Sequence, residues 1–113
     1  MYVRIVKLSF MNDFSKEAAS NLLSQIGKTK GFAEGMLLRM SVDVSDTQRY
    51  SMTVWPSKKI EEKTWKLFGE DVLKKLRDTG AKVEISKGEV NDINISKDLE
   101  LSLIHISEPT RPY

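Results

Sequence analysis

Apolar and polar positions recur along this chain with two different periods, near two and near 3.6, and the switches between them predict its elements. Tyr2 to Phe10, YVRIVKLSF, is rich in β-branched and aromatic residues. It carries apolar side chains on both pleat faces, Val6, Leu8 and Phe10 on one and Val3 and Ile5 on the other, so this strand is expected to be covered from both sides. Asn12 or Asp13 then offers an N-cap, and Ala18, Leu22 and Ile26, supported by Ala19 and Leu23, follow at helical spacing until Gly27 or Gly31 ends the helix.

From Gly35 to Val44 the period is two, with Met36, Leu38, Met40 and Val42 alternating against Leu37, Arg39, Ser41 and Asp43. Turn residues between Val44 and Thr47 lead into a partner strand, RYSMTVW, with Tyr50, Met52 and Val54 on one face. Pro56-Ser57 breaks that strand and opens a second helical region whose stripe is Ile60, Phe68, Val72 and Leu76, widened by Leu67 and Leu73. Gly69 is expected to split it into two shorter helices. After Thr79-Gly80, Ala81, Val83 and Ile85 alternate with Lys82, Glu84 and Ser86 as a last strand. The order β-α-β-β-α-β predicts an α+β, ferredoxin-like sandwich with one antiparallel four-stranded sheet and both helices on one face.

Composition narrows the class. With 113 residues, 40% apolar and 30% charged, the chain reads as a globular domain, and a second subunit would help so small a domain bury surface. The net charge of +2 argues for neither nucleic acid nor membrane as a partner. The charged start at Arg4 is unlike a signal peptide, and no apolar run approaches the roughly 18 residues that cross a bilayer. Zero cysteines exclude disulfides and thiolate chemistry and suit a cytoplasmic setting.

The regular pattern fades after Val90. Residues 1–90 are read as the domain and 91–100 as a C-terminal extension. The remainder, LSLIHISEPTRPY, is similar to the translation of a tagmentation sequencing adapter, so residues 101–113 are read as adapter-derived. On that reading His105, the only histidine, carries no function, and removing Glu108 and Arg111 leaves the net charge at +2.

Topology alone does not select a function. RYSMTVW lacks the glycine and YVRIVKLSF the central aromatic that base-stacking RNA-recognition domains use. The stretch GFAEGMLLRMSVDVSDTQRYSMTVWPSKKIEE, however, resembles the core of antibiotic-biosynthesis monooxygenase (ABM) domains of the dimeric α/β-barrel superfamily. Gly31-Phe32 before the second strand, Arg39 after apolar alternation, and Val54-Trp55 followed by Ser57 and a helix carry the resemblance, which spans about residues 2 to 90. It implies a homodimer in which two bare sheet faces, each with Met36, Leu38, Met40, Tyr50, Met52 and Val54, pack together. It further implies either a cofactor-independent monooxygenase acting on a small apolar or aromatic molecule, or a non-catalytic ligand-binding or structural dimer.

Cofactor-free oxygenation needs an apolar pocket and a few polar groups to hold a substrate anion. The candidate pocket residues are Lys7, Met36, Arg39, Tyr50, Trp55, Trp65, Phe68 and Arg77. Each aromatic alone also fits a plain core role. Lys7 either faces a pocket, where it would be a buried cation, or extends its ammonium to solvent. Lys7, Arg39, Arg49 and Arg77 can bind a phenolate or carboxylate. Haem-degrading members of the superfamily carry a Trp that Trp65 matches, but Arg77 falls where their iron-binding His would stand, so no cofactor is expected. The charges of Lys58, Lys59, Glu61, Glu62, Lys63 and Lys66 are expected to form a solvated helix face.

Overall fold

In the computed structural model, which describes residues 1–26 and 30–99, four strands form one antiparallel sheet in the order β2-β3-β1-β4. The elements are β1 (Tyr2–Ser9), α1 (Asp13–Ile26), β2 (Leu38–Asp43), β3 (Gln48–Trp55), α2 (Lys58–Thr64), α3 (Glu70–Asp78) and β4 (Lys82–Glu89), with a π-helical turn, Trp65–Gly69, joining α2 to α3. This is the expected ferredoxin-like α+β sandwich. Residues 101–113, including His105 and the adapter-like tail, lie outside the described residues, as does Gly27.

Local chemistry accounts for the boundaries. Asn12 caps α1, its Oδ1 accepting from the Ser15 amide at 2.8 Å. Ser57 caps α2 through the Ile60 amide, and Gly80, at φ 91°, closes α3 in the left-handed conformation that glycine adopts without strain. The β2–β3 connection is the predicted turn, closed by the Val44 amide on the Gln48 carbonyl at 3.1 Å.

The register sorts the side chains. Tyr2, Arg4, Val6 and Leu8 of β1 face the helices together with their partners Trp55, Thr53, Ser51 and Arg49 of β3. Leu8, Phe10, Ala19, Leu76 and Ala81 form the main core, and Tyr2, Met36 and Trp55 form a second cluster near the start of α2. Met36 is thus a core residue beneath the sheet edge and not part of the bare face, as its alternation with Leu38 suggested; β2 begins two residues later, after the turn at Gly35. Leu38, Met40, Val42, Tyr50, Met52 and Val54 do share the face away from the helices, with Val3 and Ile5 beside them.

The second helical region does divide into two shorter helices, α2 and α3, at Gly69, but through a π-helical turn and not through a break in the helical path. Gly69 closes the π turn, where a Cβ would lie 2.3 Å from Cδ2 of the Trp65 ring, so the missing side chain is what lets the indole lie across the helix. The same segment corrects the expected solvated face. Lys58 and Glu62 do pair at the surface, at 3.9 Å, but Glu61 is fully buried, its Oε1 accepting from Arg4 Nε at 2.8 Å and Lys87 Nζ at 2.9 Å. The spacing explains why: Glu61, Thr64, Trp65 and Phe68 stand at i, i+3, i+4 and i+7 and make one inward stripe. A charge therefore ties α2 to β1 and β4.

Two measurements check these contacts. Replacing an interior helical glycine by alanine ordinarily stabilises by about 1 kcal/mol. Gly69→Ala is instead expected to destabilise by about 1–3 kcal/mol, the usual cost of overpacking, and to shift the tryptophan emission. Glu61→Gln, which leaves two cations facing a neutral amide, is expected to lower stability by about 3 kcal/mol, read as a lower urea midpoint at unchanged slope. A midpoint equal to that of the parent chain would show that Glu61 does not hold α2 down.

Candidate functional site

Between the sheet and the helices the packing leaves a partly open cavity of about 80 Å³. The sheet contributes Arg4, Val6, Ser51, Thr53 and Trp55 to its wall. The helical side contributes Trp65, Phe68, Gly69, Val72 and Leu73, and Gly31 and Met36 close one end. A Cβ on Gly31 would meet Met36 Cε at 2.8 Å, so the glycine of the Gly31-Phe32 pair makes room for the Met36 side chain.

Of the eight candidate residues, five come together here: Met36, Arg39, Trp55, Trp65 and Phe68. The other three do not line it. Lys7 pairs with Tyr50 and Glu84 across the strands and shares with Tyr50 the face away from the helices; in a strand, one residue's step reverses the face. Arg77 is exposed on α3, one position past buried Leu76.

Beside Arg39, a second cation enters the cavity wall, Arg4. It carries the same parity along β1 as Val6, Leu8 and Phe10, which was the readable signal for it. Its guanidinium carbon sits 5.1 Å from the ring centroids of both Trp55 and Trp65, a double cation–π arrangement, and Lys87 Nζ lies 4.5 Å from the Trp65 ring. Trp55, only 1% exposed, donates its indole N–H to Thr53 Oγ1 at 3.0 Å, which fixes its orientation.

This cluster is incompletely satisfied. Arg4 Nη2 and Glu61 Oε2 are both buried without a hydrogen-bond partner among the described residues. Two cations, Arg4 and Lys87, face one carboxylate, Glu61, so the cluster keeps one positive charge in excess. An uncompensated guanidinium N–H beside an apolar cavity is suited to an oxygen acceptor such as a phenolate, carboxylate or carbonyl. Among the described residues no group of three or more His, Cys, Asp or Glu could hold a metal ion, and no helix is long and apolar enough to cross a membrane.

The fold recurs among solved structures. A candidate antibiotic biosynthesis monooxygenase from Deinococcus radiodurans superposes with a TM-score of 0.71 at 20% identity, covering 85% of this chain and 99% of that one. A dimeric ferredoxin-like protein from an uncultured marine organism gives 0.66 at 15% identity, over 82% and 97% of the two chains. A variant of SnoaB, a cofactor-independent oxygenase of Streptomyces nogalater, gives 0.66 at 12% identity, over 81% and 95%. No protein-family model matches the sequence, and no curated protein matches it as a relative. At these identities the likeness establishes the architecture that the chain shares with such proteins, a ferredoxin-like α+β sandwich.

Proposed function

We propose that this chain is an ABM-like dimeric domain that binds a small apolar or aromatic molecule in the cavity beneath Trp55 and Trp65, and that it oxidises that molecule with dioxygen and no cofactor. The observation that carries the reading is the cavity itself: apolar walls from Trp65, Phe68, Val72 and Leu73, with Arg4 as a cation whose Nη2 lacks an acceptor among the described residues. The fold shared with a cofactor-independent oxygenase supports it.

In such chemistry the substrate anion supplies the electrons. A hydroxyarene held as its phenolate gives electrons to dioxygen; one oxygen atom becomes a ring carbonyl, the displaced hydrogens leave with the other oxygen as water, and a quinone results. The protein's part is to favour the anion and exclude water. Arg4 can do the first by donating to the phenolate oxygen, and the indole and phenyl walls do the second. Glu61 is spent on Arg4 and Lys87, so it orients the guanidinium and is not a free base.

A specific observation favours the second reading, a non-catalytic ligand-binding or structural dimer. An engineered cavity of about 150 Å³ accepts benzene, so a cavity of about 80 Å³ takes dioxygen or a slim chain, and a fused ring enters only if Phe68 or Leu73 moves. In either reading the second subunit covers the bare face, since Leu38, Met40 and Val42 are 43%, 47% and 39% exposed on an edge strand beside Met52 and Tyr50. Neighbours of this fold described as dimeric support that.

The dimer is checked by light scattering on a size-exclusion column: the chain is expected at twice its monomer mass, and Met52→Glu, which places a charge at the centre of the face, at monomer mass with its helix content retained. A parent chain that elutes as a folded monomer would remove the shared interface. Catalysis is checked by oxygen consumption over a panel of hydroxyarenes. Acceleration is expected, falling about tenfold or more in Arg4→Lys, which keeps the charge toward Glu61 but loses one charge-assisted hydrogen bond of about 1.4 kcal/mol. A folded dimer that accelerates nothing on the panel selects the non-catalytic reading.

A further inference from the structure

A second concavity adjoins the cavity. It is an open groove of about 350 Å³ with Ser20 and Ser24 of α1 on one wall and Arg39, Ser41 and Arg49 of the sheet on the other. Leu23 and Arg39 line both spaces, so the apolar cavity and the polar groove share a wall.

The two arginines are in opposite states. Arg49 is fully engaged: Nε and Nη2 donate to the two carboxylate oxygens of Asp43 at 2.6 and 3.2 Å, and Nη1 donates to Ser20 Oγ. That guanidinium holds the Asp43 carboxyl below the usual range, and the pair is electrically closed. Arg39 has no carboxylate within ion-pair distance among the described residues. Its charged neighbour is Arg49, and burial first and that neighbour second push its pKa below the ordinary value. A guanidinium does not shed its proton in a protein, so the cost is relieved by an anion and not by neutralisation. Two guanidiniums against one carboxylate leave the groove with one positive charge, and Lys16 adds a cation within electrostatic reach of Asp43. The Ser20 hydroxyl is also engaged, donating to the Lys16 carbonyl at 2.7 Å, which leaves Ser24 and Ser41 as the hydroxyls flanking Arg39.

We propose that Arg39, flanked by Ser24 and Ser41, holds the anionic head group of a ligand whose apolar body enters the adjoining cavity, so that the ligand is an amphipathic organic acid and not a neutral arene. The inference rests on the ligand-binding reading of the cavity and narrows it. Position carries the argument: among the described residues Arg39 is the one charged residue lining both spaces, and an acid bound there satisfies that cation and a narrow apolar space at once.

The test is nuclear magnetic resonance titration of the full, ¹⁵N-labelled chain with a matched pair, hexanoate and hexan-1-ol, with acetate as a control. Hexanoate is expected to shift the Arg39 Nε–H and the Trp65 indole N–H together, whereas hexan-1-ol shifts the indole alone. Arg39→Gln is expected to weaken hexanoate by about tenfold or more, the loss of one charge-assisted pair, and to leave hexan-1-ol unchanged. Arg39→Lys, which keeps the charge, is expected to recover part of the loss. If both ligands move the Trp65 signal equally and Arg39→Gln has no effect on hexanoate, the head-group site is overturned while the cavity stands. If acetate moves Arg39 as strongly as hexanoate and the indole is silent, the groove binds simple anions only and the link to the cavity is overturned. If neither ligand moves the indole, the cavity reading itself fails, and the head-group site fails with it.

Discussion

A single buried carboxylate organises the half of this protein in which the site lies. Glu61 receives Arg4 from β1 and Lys87 from β4 on one oxygen, and these cations lie against the faces of Trp55 and Trp65. Burying a carboxylate alone costs several kcal/mol, and two cationic donors offset that cost. In return the carboxylate fixes the height and rotation of α2 over the sheet. The other end of the sandwich is held by ordinary apolar packing of Leu8, Phe10, Ala19 and Leu76. The molecule thus has an oily end and a charged, aromatic end, and the cavity lies where they meet.

That placement has consequences for chemistry. The excess positive charge of the triad and the uncompensated charge of Arg39 both border the cavity, so its potential favours anions wherever a ligand lies. Hydroxyls of Ser51 and Thr53 line the same sheet wall, yet Thr53 is already bonded to the Trp55 indole. The site therefore offers donors and cations in a water-poor space and no free carboxylate among the described residues. Such surroundings favour a negative charge, which is what both proposed readings, oxygen activation by a phenolate and simple retention of an organic acid, would require.

The π turn at Trp65–Gly69 serves the same end. A regular helix through this stretch would point the indole elsewhere; one added residue in the turn and a glycine beneath the ring let Trp65 lie flat between Lys87 and the helix backbone. Glycine here is a matter of space and not of backbone freedom, since its φ of −63° is open to any residue.

Much of the fold could be read from the chain. Alternation at Met40, Val42, Met52 and Val54, helical spacing at Leu22, Ile26, Val72 and Leu76, and the punctuation at Asn12, Ser57 and Gly80 were enough for the element order, because each depends on neighbours in sequence. Which face of β1 meets the helices was left open, because both carry apolar residues, but the parity that separates Arg4 from Lys7 was legible. The burial of Glu61, the seat of Met36 in the core, the exposure of Arg77 and the isolation of Arg39 were not. These depend on which residues from distant elements arrive opposite one another: Glu61 is buried because Arg4 and Lys87 stand 57 and 26 positions away and meet it across the sheet. The sequence by itself determined periodicity, caps and strand parity, all local. The tertiary structure alone decided where charge is compensated and where space is left, because both are properties of pairs brought together by the fold.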